Sequence, residues 1–122
     1  MTANDIITLV DLKEPNSYSA AEKLAWLSDL DGRIFYEAIL THEHAPEASF
    51  TPYTAATAEL LVSAPWGEDL YVHYLIARIA AGNAETSRYN QQIALYNAAW
   101  AQYWNRLNAT VKPLHDAARF KF

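Results

Sequence analysis

The sequence predicts an all-α fold, and three observations carry that prediction. Apolar residues make up 52% of the 122-residue chain and charged residues 19%, a balance that supports one packed domain and excludes disorder as its main state. Over most of its length, apolar residues recur at spacings of three and four, the period of a helix with one buried face. Helix-capping residues stand just ahead of the first two such stretches.

Taken in order, Thr2 to Leu12 reads as a short helix with Ile6, Leu9 and Val10 on one face. Thr2 and Asp5 are placed to cap its start, and Pro15 ends it before the turn residues Asn16 and Ser17. Ser19 and Glu22 form a capping box, in which hydroxyl and carboxylate each take one otherwise unpaired backbone N–H. The second helix then runs through Leu24, Leu27, Leu30 or Asp31, Ile34 and Ala38 to about Thr41. Gly32 lies inside it as a tolerated weak point or a kink.

Residues 42–66 break the pattern. Pro46, Pro52 and Pro65 forbid a continuous helix, and Glu59 to Ser63 reads as an extended piece or a single edge strand. So long a loop in a small domain is expected to be a contact arm. Beyond it, Val72, Leu75, Ile79, Gly82, Thr86, Tyr89, Ile93, Tyr96, Trp100, Tyr103 and Leu107 keep a helical rhythm without a slip. Residues 68–108 therefore form either one helix on the order of 60 Å long or a helical hairpin folded at Gly82-Asn83. The unbroken phase favours the single helix. Pro113 stops propagation, and Leu114, Phe120 and Phe122 stand among basic residues in an extended tail. The expected organisation is one helical domain over 1–112, with its contact arm at 42–66 and a C-terminal tail at 113–122.

Composition narrows the function. With no cysteine there is no disulfide, no thiolate catalysis and no cysteine-based zinc site. The first ten residues lack the basic run of a signal peptide, and no apolar run approaches the ~20 residues of a membrane span, so a soluble protein is expected. The net charge of −5 divides unevenly: residues 1–69 hold twelve carboxylates against Lys13, Lys23 and Arg33, and residues 70–122 hold six basic residues against Glu85 and Asp116. The two parts either neutralise each other within the fold or meet between subunits of a head-to-tail ring. The basic residues are too scattered for a DNA-binding stripe. Four Trp and eight Tyr exceed the needs of one small core and suit a surface that meets other proteins.

His42-Glu43-His44 is the one cluster with metal-ligand chemistry, with His73 or His115 as the further ligand that would complete a set. The two-residue spacing fits poorly on a helix, and histidines at a helix end are expected to be surface residues whose loss leaves folding intact. Asp29-Leu30-Asp31-Gly32 lacks the glycine position and the closing glutamate of a calcium loop. No carboxylate pair, nucleophile or phosphate-cradling loop assembles an active site, so no enzyme, cofactor or metal is expected.

Three stretches give the chain a resemblance to a known family. They are Leu24-Ala25-Trp26-Leu27 with Leu30-Asp31-Gly32-Arg33-Ile34-Phe35; Glu59-Leu60-Leu61-Val62 running into Pro65-Trp66 and Leu70-Tyr71; and Arg88-Tyr89-Asn90 through Tyr96-Asn97 to Tyr103-Trp104-Asn105-Arg106. In order and spacing they resemble the head–tail connector (adaptor, neck) proteins of tailed phages and prophages. The resemblance implies a non-enzymatic homo-oligomeric ring in the virion neck, assembled in the bacterial cytoplasm. Its implied partners are further copies of itself, the portal protein and a tail or stopper protein, with DNA only passing through the channel and no membrane involved. On this reading Phe50, Tyr53, Leu60, Leu61 and Trp66 in the arm, and Phe120 and Phe122 in the tail, are the expected partner contacts. The alternative is a small helical metal- or ligand-binding protein using His42, Glu43, His44 and His73.

Overall fold

The computed structural model describes residues 1–42 and 49–110. Its elements are four α-helices, α1 (Ala3–Lys13), α2 (Ala20–Ile34), α3 (Trp66–Gly82) and α4 (Thr86–Thr110), with a π-helical segment, Phe35–Ile39, continuing α2. The all-α class holds.

Both capping signals act as read. The Asp5 N–H donates to Thr2 Oγ1 at 3.2 Å and the Thr2 N–H to Asp5 Oδ2 at 2.9 Å. The Glu22 N–H donates to Ser19 Oγ at 3.1 Å and the Ser19 N–H to Glu22 Oε1 at 3.2 Å. Each box satisfies two backbone donors that the helix start leaves over. Helix α1 buries Ala3, Ile6, Ile7 and Val10, and α2 buries Leu27, Leu30 and Ile34 against them and α3. Lys23, only 2% exposed, reaches from α2 to Asp11 on α1 at 2.6 Å, so the buried ammonium is charge-paired. Gly32 does not interrupt α2; the backbone widens to π spacing three residues later.

Helix α3 is the central element. Leu70, Tyr71, Val72, Tyr74, Leu75, Ile76, Ala77, Ile79 and Ala80 are all buried, which leaves little of its circumference to solvent. Helix α4 packs along it and buries only Ala99 and Tyr103 fully, with Tyr96, Trp100, Trp104 and Leu107 half-covered.

The single 60 Å helix is not what forms. The chain turns back at Asn83–Glu85, so the hairpin is correct. The Asn83 N–H bonds to Ile79 O at 3.0 Å and the Glu85 N–H to Ala80 O at 2.9 Å, while Ala84 takes a left-handed φ of 58°. Three turn residues occupy nearly the same count as one helical turn. The three-and-four rhythm therefore passes through the turn unbroken, which is why its phase did not report the fold. Gly82 allows the reversal a close neighbour, because a Cβ there would collide with the Tyr18 ring.

The anticipated edge strand reduces to one antiparallel bridge between Thr2 and Glu59. The Ala3 and Asn4 N–H groups donate to Ala58 O at 2.9 Å and Ala56 O at 2.8 Å, and Leu60 N–H to Met1 O at 3.0 Å. Pairing stops there because the next two backbone donors, on Leu61 and Val62, go to side chains.

Candidate functional site

Those two donors belong to a polar cluster centred on Asp31, whose residue is 0% exposed. Its Oδ1 accepts from the Tyr71 hydroxyl at 2.5 Å; its Oδ2 accepts from the Tyr53 hydroxyl and from the Leu61 N–H at 3.0 Å. The Tyr71 oxygen in turn accepts the Val62 N–H at 2.9 Å, and Ser28 Oγ accepts the Tyr53 N–H at 3.0 Å. Helix α2 supplies the carboxylate and the Ser28 hydroxyl, α3 one phenol, and the arm the remaining donors, so Asp31 and Ser28 fasten the arm to the helical core.

The electrostatics follow from burial. Desolvation pushes the Asp31 carboxyl above the ordinary aspartate value, and the hydrogen bonds from Tyr53, Tyr71 and Leu61 only partly offset it. Burial, together with the Asp31 charge, raises both the Tyr53 and Tyr71 phenols, keeping them as donors. Tyr103, buried nearby and facing the same charge, is pushed up to about 12.

Around this clasp lie the residues expected to meet a partner. Phe50 is half-buried, edge-on to Tyr53 with ring centroids 5.3 Å apart and 6.1 Å from Phe35. Phe50, Tyr53 and Leu61 line one cleft of about 250 Å³; Leu61 and Trp66 line the next, of about 300 Å³. Four of the five arm residues thus share one continuous outer face. Leu60 does not. It is 7% exposed and belongs to the core, because along the extended Leu60-Leu61 pair alternate side chains point to opposite sides. Phe120 and Phe122 lie outside the described residues.

The histidines are placed differently from the expectation of a surface pair. His42 is 2% exposed: Nδ1–H donates to Ala38 O at 2.6 Å, Nε2 lies 2.7 Å from the Asn108 side-chain amide, and the ring stands edge-on to Trp104. It joins the end of the α2–π rod to the end of α4, so it is a core residue, and a metal there would have to displace one of those bonds. His73 Nδ1 bonds Gln92 Oε1 at 2.8 Å and so links α3 to α4. Glu43, His44 and His115 lie outside the described residues, and among those described no three metal-ligating side chains come together.

Among the described residues one ion pair, Arg88 with Glu14, joins the acidic part of the chain to the basic part. The Arg78 guanidinium sits 5.1 Å above the Trp26 ring, and that of Arg106 sits 4.9 Å above Trp66. The sequence places Asp31 as the alternative to Leu30 in the stripe of α2, without foretelling the clasp it builds. Its signal was the spacing Leu27, Asp31, Ile34, Ala38, which puts a carboxylate on the buried face of α2.

No family model, no curated protein and no solved structure matches this chain.

Proposed function

We propose that this chain is a structural assembly protein that works by binding other proteins, and that its specific role is the one its resemblance implies: a head–tail connector subunit that forms a ring and joins the portal of a phage head to the tail or its stopper. The observation that carries the reading is the arm. It is fastened to the core through Asp31 and Ser28, and the fastening leaves Phe50, Tyr53, Leu61 and Trp66 half-exposed along one face. A pre-ordered apolar face of this kind binds without paying to order a loop, which is what an assembly surface gains from rigidity. Aromatic anchors of this type dominate binding energy where proteins meet.

The test is co-sedimentation of the purified chain with portal rings from the genome that encodes it. Wild-type protein should pellet with the rings, and Leu61→Glu should weaken that binding at least tenfold while circular dichroism stays unchanged. A wild-type chain that neither self-associates nor binds the portal overturns the reading. So would a Leu61→Glu variant that binds as well as wild type, as far as this face is concerned.

A further inference from the structure

We infer that two copies of this chain pair antiparallel through the exposed ridge that Arg33 and Glu37 form along α2 and the π segment. This goes beyond the connector reading, since it needs no portal and concerns the free protein.

The ridge separates two clefts, and Arg33 and Glu37 line both. On one side a cleft of about 470 Å³ is walled by Tyr36, Phe50 and Pro52; on the other, one of about 240 Å³ runs between α2 and α4 with Tyr96 and Trp100 on its far wall. Tyr36, 50% exposed, rides on the ridge itself. A ridge flanked by two apolar furrows is the surface one helix offers to another, since ridges pack into grooves.

The charges specify which helix fits. Asp29, Arg33 and Glu37 are exposed, follow one another at intervals of one turn, and alternate in sign. Among the described residues none of the three is in an ion pair. A second copy laid antiparallel, with the twofold axis at the level of Phe35, sets Arg33 against the partner's Glu37 and Glu37 against the partner's Arg33. A parallel copy in register sets arginine on arginine and carboxylate on carboxylate. Of the twofold-symmetric arrangements, only the antiparallel one makes the Arg33–Glu37 pattern self-complementary, which is the requirement of an isologous contact. Both residues also line the α2–α4 furrow beside Tyr96 and Trp100.

Charge exchange tests this with a readout that misfolding cannot imitate. Sedimentation equilibrium should find wild-type dimers. Arg33→Glu and Glu37→Arg, each alone, should raise the dissociation constant about tenfold or more with helicity unchanged. An equimolar mixture of the two should form the heterodimer, because every like-charge contact becomes an opposite-charge one; the double variant should dimerise for the same reason. A wild-type chain that is monomeric at its highest soluble concentration overturns the proposal. So do single variants that dimerise like wild type, or a mixture that stays monomeric. A monomer that still loads onto portal rings overturns the dimer and leaves the connector reading standing; a dimer that ignores the portal does the reverse.

Discussion

Tyr71 on α3 donates its hydroxyl proton to Asp31 on α2 at 2.5 Å and, with the same oxygen, accepts the Val62 N–H from the arm at 2.9 Å. One phenol therefore ties three parts of the molecule together in a buried place, where each bond is hard to replace. Tyr71→Phe should cost about 2 kcal/mol, since it removes a bond to a carboxylate and strands a buried N–H. Tyr53→Phe should cost about 1 kcal/mol, because that phenol is only half-buried and accepts nothing in return. Asp31→Ala, which strands three donors, should cost about 3 kcal/mol or more. Urea denaturation of the three variants checks the order.

The same carboxyl makes a pH prediction with a definite sign. Burial holds Asp31 above its unfolded value, so between the two values the native state keeps a proton that the unfolded chain has released. Stability contributed by this group is therefore present at low pH and is lost as pH rises through the raised folded value. Asp11 behaves oppositely: burial pushes its carboxyl up, but bonds from Lys23 and Asn16 outweigh that and lower it, so its contribution is lost only as pH falls below the ordinary aspartate range. Urea midpoints of wild type and Asp31→Asn from about pH 3 to 7 separate the two windows. The stability of wild type relative to Asp31→Asn should fall as pH rises above about 4. A rise would contradict the account.

Glycines 67 and 82 differ in what stands against them. A Cβ on Gly67 would strike the carbonyl oxygen of Val62 and lie 2.9 Å from Met1 Cε, so arm backbone would have to move. A Cβ on Gly82 would meet the outer end of the Tyr18 side chain, which can swing aside at the loss of its bond to Asn83 Oδ1. Gly67→Ala should cost about 3 kcal/mol and loosen the arm, and Gly82→Ala about 1 kcal/mol. Thermal melts of the two variants give the comparison.

His42→Ala should cost about 2 kcal/mol, because it opens a cavity beside Trp104 and removes the bonds to Ala38 O, which keeps only the Thr41 hydroxyl as a side-chain donor, and to the Asn108 amide. A melt unchanged from wild type would return His42 to the surface.

What could be read in the sequence was the local part of the fold. Thr2 with Asp5 and Ser19 with Glu22 act over three residues, so the chemistry that starts α1 and α2 is written side by side. Helix α3 and helix α4 follow from periodicity, but their reversal at Asn83–Glu85 does not, because a three-residue turn preserves the count. The clasp was illegible for a different reason. The spacing Leu27, Asp31, Ile34, Ala38 could turn this carboxylate inward, but its partners Tyr53 and Tyr71 stand 22 and 40 residues away, and no local pattern pairs them with it. His42 escaped in the same way, since its partner Asn108 lies 66 residues on. Of the outer face, the half-exposed aromatics could be nominated by composition; that Leu60 and Leu61 part company could be settled only by which of the two faces the core.

Sedimentation velocity of isolated portal rings titrated with this chain tests the central claim most directly. The account predicts that the portal boundary moves to higher mass and saturates at a whole number of copies per ring, and that Leu61→Glu shifts the titration to higher concentration. A portal boundary that stays in place at every concentration of wild-type chain would contradict it.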